Sequence, residues 1–79
     1  DLKGRTFLDA GCGSGLFSLA AHRLGARALS FDFNPKSVRC AEELRRRFAA
    51  NAENWTIVTG SLLDATFMAG LGRFDVVYS

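Results

Sequence analysis

The sequence predicts an α/β fold of three layers, αβα, around a parallel sheet of strand order 3-2-1-4. Apolar strand-like segments alternate with helix-like segments along all 79 residues, which is typical of a parallel sheet covered by helices. The connections are short, and short right-handed crossovers give this strand order. A glycine-rich turn follows the first strand, next to the predicted switch point between strands 1 and 4, where such sheets bind ligands.

Composition limits the classes of protein to which this chain can belong. An apolar fraction of 48% excludes a disordered chain, and a net charge of +2 indicates no nucleic-acid partner. No apolar run has the length of a membrane span. Cys12 and Cys40, with only His22 as a nitrogen ligand, predict no metal site and no disulfide framework, as in a cytoplasmic protein. Because the chain starts at Asp1 and shows no signal peptide, we expect an excised piece of one domain.

The first strand-helix unit contains the most informative stretch. Residues 5–9 form a predicted strand, three alternate glycines make a turn, and residues 16–24 form a helix that ends before Gly25. Glycine allows both unusual backbone angles and close approach of a ligand to the backbone. We expect His22 to be a solvated residue of this helix. The residues predicted to make the apolar side of the helix are Leu16, Phe17, Ala20, Ala21 and Leu24.

Asp9, just before the glycines, indicates which ligand the turn accepts. A dinucleotide fingerprint, G-x-G-x-x-G, requires its third glycine at position 16 or 18, which are Leu16 and Ser18 here. A carboxylate at position 9 repels a pyrophosphate and attracts an ammonium or sulfonium group. The turn therefore predicts a nucleoside ligand that carries positive charge.

The second strand, residues 26–32, ends in Asp32. A carboxylate at the carboxyl end of this strand can accept hydrogen bonds from both ribose hydroxyls. The alternative is that Asp32 caps the next helix, although Asn34 suits that role better because Pro35 follows it.

The second helix, residues 35–49, is predicted to bury one apolar stripe. We expect residues 45–47, three arginines, to lie on a solvated face rather than on RNA. The predicted stripe is Val38, Ala41, Leu44 and Phe48, and the predicted ion pairs are Glu42–Arg46 and Glu43–Arg47.

The last part of the chain contains two further strands. A polar turn at 51–54 leads to a third strand at 55–59, which Gly60 ends, and a short helix at 65–70 leads to a fourth strand at 74–78. Asp75, at the start of the fourth strand, is expected to be structural. Val76 and Val77 would lie on an open edge, so we expect self-association through it unless a longer chain covers it.

The stretch from Phe7 to Gly15, FLDAGCGSG, resembles motif I of the class I, Rossmann-like S-adenosylmethionine-dependent methyltransferases. This resemblance implies that residues 1–79 are part of the cofactor-binding domain, truncated after strand 4, with S-adenosyl-L-methionine as cofactor. The candidate cofactor-binding residues are Asp9, Gly11, Cys12, Gly13, Gly15, Asp32, Phe33, Ser61, Leu62 and Asp64.

The resemblance also implies individual roles. Asp9 would hold the aminoacyl end, directly or through water, while Gly11 and Gly13 line the cofactor and Gly15 allows close helix packing. Asp32 would bind the ribose. Phe33 would pack against adenine, and Ser61 and Leu62 would meet the adenine edge. Asp64 either binds the adenine amino group or caps the helix at 65–70.

The implied reaction is transfer of the sulfonium methyl to an acceptor by in-line displacement. The catalytic residues and the methyl acceptor cannot be identified, because the family's acceptor-side residues usually follow strand 4. Other possibilities are an aminopropyl transferase-like enzyme on the same scaffold, a nicotinamide oxidoreductase, and a non-catalytic nucleoside-binding or scaffold module. Asp9 and Leu16 disfavour the oxidoreductase.

Overall fold

A computed structural model of the chain describes residues 1–50 and 53–79, and in them strands alternate with helices as predicted. All strand pairs are parallel and the sheet order is β3-β2-β1-β4, which confirms the order 3-2-1-4. The elements are β1 Thr6–Ala10, α1 Leu16–Arg23, β2 Arg27–Asp32, α2 Pro35–Phe48, β3 Trp55–Thr59, α3 Ala65–Gly70 and β4 Val76–Tyr78.

The helices cover both faces of the sheet, so the three-layer αβα arrangement is also confirmed. On one face, Leu19 of α1 packs with Ala28 and Trp55 of the sheet, and Leu44 of α2 joins them. On the other face, α3 packs on a cluster that includes Leu8, Ala10, Phe31, Phe67 and Met68. The carboxyl ends of β1 and β2 lie side by side, because Ala10 and Phe31 are register partners.

β3 and α3 have the predicted boundaries, and the other five elements differ from theirs by one or two residues. β4 begins at Val76 rather than at residue 74, because the Asp75 side chain is engaged with the start of β1. Its Oδ2 accepts hydrogen bonds from Thr6 N (2.8 Å) and Thr6 Oγ1 (3.1 Å). Asp75 is therefore structural, as predicted. The first half of the predicted polar turn, residues 51–52, lies outside the described residues.

The predicted apolar side of α1 is wrong in most positions. Of the predicted residues, Ala21 is buried, whereas Leu16, Phe17, Ala20 and Leu24 are exposed. Ser18 and Leu19 are buried instead. A polar contact sets this orientation, since the buried hydroxyl of Ser18 hydrogen bonds to strand residues. The His22 side chain, expected to be solvated, is half-buried, and its ring stacks on Trp55 with centroids 6.2 Å apart.

α2 follows its prediction except at its carboxyl end. Asn34 is the N-cap, as predicted, and its side chain accepts a hydrogen bond from Lys36 N. Val38 and Ala41 are buried, but Phe48 is exposed, with the Arg23 guanidinium 5.8 Å from its ring centroid.

The charged face of α2 differs from its prediction in one ion pair. Arg46 bonds to Glu43 (2.6 Å) rather than to Glu42, and Arg47 bonds to the same carboxylate (2.9 Å). These hydrogen bonds lower the pKa of Glu43 to about 2. Arg45 donates to the Trp55 carbonyl (3.0 Å), so protein groups contact all three arginines.

β4 lies at one edge of the sheet and pairs with β1. Val77 is exposed, as expected, whereas Val76 is partly buried against Phe7 and Ala21, which corrects the expectation that both valines are exposed. Within residues 1–50 and 53–79, no helix is both long and apolar enough to span a bilayer.

Candidate nucleoside-binding site

The glycine turn after β1 bends across the end of β2. The N–H groups of Gly11 and Cys12 both donate to the Phe31 carbonyl oxygen, each at 2.9 Å. Gly11 and Gly13 have φ values of +74° and +53°, so the predicted unusual backbone angles are confirmed. A Cβ atom placed on either glycine would meet no atom within 4 Å, so the turn presents an open wall.

Asp32 joins this turn to the segment that leads into α2. Its Oδ2 accepts a hydrogen bond from Gly13 N (3.0 Å) and its Oδ1 accepts one from Asn34 N (2.9 Å). The residue is buried but lines a cavity. Since each carboxylate oxygen can accept a second hydrogen bond, Asp32 can bind a ligand diol without releasing either backbone group.

A cavity of about 350 Å³ lies at the carboxyl ends of β1, β2 and β3. Its volume falls in the range of small-molecule sites, and its walls are mainly apolar with one carboxylate. Phe33 is 75% exposed, so its ring is available to a flat ligand. The cavity is lined by Gly11, Phe31, Asp32, Phe33, Gly60, Ser61, Leu62 and Leu63.

Half of the candidate residues line this cavity, namely Gly11, Asp32, Phe33, Ser61 and Leu62. Asp64, for which two roles were open, caps α3 by accepting a hydrogen bond from Phe67 N (3.0 Å), and it is not among the described residues that line the cavity.

Sequence reasoning missed three of the residues that line the cavity. Leu63 adjoins Leu62 in an otherwise polar turn, and that apolar pair was a usable signal. Gly60 was predicted only to end its strand, but a Cβ there would come within 2.1 Å of the Phe67 ring. Phe31 was predicted only as part of its strand.

Asp9 lies beneath the turn and is 2% exposed. Its Oδ2 accepts a hydrogen bond from Ser18 Oγ (2.7 Å). Burial raises the pKa of Asp9 above its usual 3.8, and the nearby charge of Asp32 raises it as well, whereas hydrogen bonds from the Ser18 side chain and backbone offset part of this rise. Gly15, the N-cap of α1, has no side chain that could cap the helix. Asp9 instead accepts hydrogen bonds from Ser18 in the first turn of that helix.

Cys12 and Gly15 are structural neighbours of the cavity. Cys12 is buried, and burial together with the charges of Asp9 and Asp32 raises the pKa of its thiol to about 11, so it is a thiol at neutral pH. Gly15, at φ +86°, packs on α2, because a Cβ there would lie 3.0 Å from Ala41 Cβ. The close helix packing predicted at Gly15 is therefore confirmed.

A second, larger groove of about 790 Å³ runs between α1 and α2. Charged side chains of α2, including Lys36 and Arg39, line it, and no buried carboxylate does. None of the described residues that line it belongs to a strand, whereas the smaller cavity is lined by Phe31 and Asp32 at the carboxyl end of β2, where parallel α/β sheets bind ligands. Within the described ranges, no group of three or more His, Cys, Asp or Glu side chains could hold a metal ion.

Comparisons with known proteins show the family and the fold of the chain. The family model for ribosomal protein L11 methyltransferase (PrmA) matches residues 1–78. The ribosomal protein L11 methyltransferase of Pectobacterium carotovorum subsp. carotovorum is 42% identical over 48 residues, which are 60% of this chain but only 16% of that protein.

Two solved structures share both the fold and part of the sequence. The ribosomal protein L11 methylase of Lactobacillus delbrueckii subsp. bulgaricus is 32% identical with a TM-score of 0.75, covering 96% of this chain and 37% of that one. Magnesium protoporphyrin IX methyltransferase from Synechocystis PCC 6803, solved with bound SAH, is 29% identical with a TM-score of 0.79, covering 98% of this chain and 33% of that one. The chain thus spans a minor part of each relative.

Proposed function

We infer that this chain, which belongs to the ribosomal protein L11 methyltransferase (PrmA) family, forms the S-adenosylmethionine-binding part of a methyltransferase. The observation that carries this inference is the cavity between the glycine turn and Asp32. It combines an open backbone wall at Gly11, a buried carboxylate and an exposed aromatic ring at Phe33. The backbone wall would contact the chain attached to the nucleoside, the carboxylate would bind the ribose, and the aromatic ring would stack on the base.

The residues present fit such a ligand. Each Asp32 carboxylate oxygen has a free lone pair that can accept a hydrogen bond from a ribose hydroxyl. The Phe33 ring can stack on a purine. Ser61 Oγ accepts a hydrogen bond from Leu63 N (3.1 Å) and keeps its proton to donate, so we assign recognition of the base edge to this hydroxyl, to backbone groups and to apolar contact. Asp9 and Asp32 give the site a negative potential, which favours a cationic ligand over a phosphate.

The chain contributes positioning rather than acid-base chemistry to the proposed reaction. S-adenosylmethionine, when bound, supplies a methyl group on a positively charged sulfur. Asp32 and Gly11 would hold the nucleoside in one position, and this would orient the methyl group toward an acceptor. Leu62 and Leu63, which are 54% and 96% exposed, would cover apolar parts of a bound nucleoside and so shield that side from water.

We propose a ribosomal protein, L11, as the methyl acceptor. The family description and the two ribosomal protein L11 methyltransferase relatives support this choice. The Synechocystis enzyme shares the fold but is named for a porphyrin acceptor, so the fold alone does not favour L11.

Calorimetry tests the cofactor assignment, and a methyl-transfer assay separately tests the acceptor assignment. The full-length protein should bind S-adenosylhomocysteine with one site, and an absence of heat would contradict the cofactor assignment. It should also transfer labelled methyl from S-adenosylmethionine to purified L11. Cofactor binding without transfer to L11 would reject the acceptor and leave the cofactor site standing.

A further inference from the structure

Four buried side chains form one hydrogen-bonded chain between the sheet and α1, which we call the polar relay: Trp55, Ser30, Ser18 and Asp9. Trp55 Nε1 donates to Ser30 Oγ (2.8 Å), and Ser18 Oγ donates to Asp9 Oδ2 (2.7 Å). The two serine hydroxyls are hydrogen bonded to each other. The relay joins β3, β2, α1 and β1, and both serines are 0% exposed.

The number of protons on the polar relay fixes its direction. An indole N–H can only donate, and each hydroxyl has one proton. Since Ser18 gives its proton to Asp9, the bond between the serines must use the proton of Ser30. Each proton then has an acceptor, and the relay ends on Asp9 Oδ2, which accepts and carries no proton of its own. A proton on Asp9 Oδ2 would leave one of the two serine protons without an acceptor within the relay, so the relay favours the ionised form at that oxygen.

We propose that Ser18, Ser30 and Trp55 are positioning residues that hold Asp9 as an oriented anion, so that its charge favours the cationic end of S-adenosylmethionine. This inference rests on the proposed function. Asp9 needs such support because a carboxylate that is 2% exposed has lost its water and has a second carboxylate, Asp32, nearby. Its charge can act on the ligand without contact, since burial weakens screening.

The test compares two ligands that differ in charge at the end of the molecule that Asp9 is proposed to attract. S-adenosylmethionine has the sulfonium and the ammonium group, whereas 5′-methylthioadenosine has the same nucleoside with a neutral thioether. In the full-length protein, we expect Ser18→Ala to weaken S-adenosylmethionine about tenfold and methylthioadenosine less than about twofold. Trp55→Phe should act in the same direction by about threefold, because it removes only the first donor.

Three further variants make the test specific. Thr56→Ala, an exposed hydroxyl deletion beside Trp55, serves as the control and should leave both affinities unchanged. Ser18→Thr keeps the hydroxyl and should restore S-adenosylmethionine binding. In an Asp9→Asn background, Ser18→Ala should cause no further loss, since the charge that it supports is gone.

The outcomes separate this inference from the function on which it rests. Equal weakening of both ligands by Ser18→Ala, or a loss that persists beside Asp9→Asn, would show a merely structural role and overturn the inference. If the unaltered protein bound neither ligand, the proposed function would itself be wrong and the inference would fall with it.

Discussion

Asp32 is the residue that connects the local structure most directly with the proposed ligand. One carboxylate holds the glycine turn through Gly13, holds the start of α2 through Asn34, and lines the cavity. A ribose diol would meet an acceptor whose position is already fixed by two backbone N–H groups. Such preorganisation reduces the entropy that ligand binding must overcome.

Asp32→Ala should weaken S-adenosylhomocysteine binding about 30-fold, equivalent to about 2 kcal/mol, because hydrogen bonds to a charged group are lost. Calorimetry on the full-length protein measures the change. Glu42→Ala, which removes an exposed carboxylate from α2, is the control and should bind normally. Unchanged affinity of the Asp32 variant would refute the ribose role.

At the residue scale, sequence reasoning was best where a residue's place depends on the end of a strand. Asp32 could be placed at the ligand edge because parallel strands end at one edge of a sheet, whereas the place of Ser61 came from the family resemblance. The bond from Ser18 to Asp9 was not predictable, since no periodic pattern reports a buried hydrogen bond between a helix and a strand. Missing that bond also led to the wrong buried side for α1.

At the element scale, Gly15 sets how closely α1 approaches α2. The closest atoms to a Cβ at this position are Ala41 Cβ at 3.0 Å and Ala41 Cα at 3.2 Å, and a backbone atom cannot move aside cheaply. Gly11 offers a matched comparison, because it also has positive φ but has open space around it.

Gly15→Ala should therefore destabilise the protein by about 2–4 kcal/mol, through both an unfavourable φ and overpacking. Gly11→Ala should cost only about 1–2 kcal/mol, from φ alone. Chemical denaturation measures both variants. Equal losses would contradict the packing role of Gly15.

The start of β4 depends on a side-chain clamp between Asp75 and Thr6. Three hydrogen bonds of 2.8–3.1 Å join these residues. The hydrogen bonds from the Thr6 backbone and side chain lower the pKa of Asp75 below its usual 3.8. The ionised clamp therefore stabilises the fold fully above pH 3.8 and loses this effect as the pH falls through the folded-state pKa.

Asp75→Asn should lower the melting temperature at neutral pH, and the difference from the unaltered protein should shrink in acid. Thermal unfolding at several pH values checks this, with Thr6→Ser as a control that keeps the hydroxyl. A difference that stays constant down to acid pH would show that the charge of Asp75 is not involved.

At the scale of the whole molecule, alternation of elements was enough to predict the topology. The order β3-β2-β1-β4 follows from handedness and short connections, which do not depend on individual contacts. The sequence did not predict that Phe17, Leu24 and Phe48 are exposed. Helical periodicity indicates which side of a helix is apolar but not whether another element covers that side. The methyl acceptor could not be predicted, because the glycine turn and the aspartates at the strand ends indicate a cofactor and carry no information about an acceptor.

The edge at β4 leads to a prediction about association. Val77 is 61% exposed on a strand that pairs with β1 on one side. The 79-residue chain should therefore self-associate with rising concentration in gel filtration with multi-angle scattering, and Val77→Lys should reduce this. A stable, well-folded monomer at all concentrations would count against it.

The most direct test of the central claim is a crystal structure of the full-length protein soaked with both S-adenosylhomocysteine and NADH. We expect the sulfur-bearing nucleoside in the cavity, with its ribose hydroxyls on Asp32 and its base against Phe33. A diphosphate resting against residues 11–15, with no sulfur-bearing ligand in the cavity, would contradict the claim.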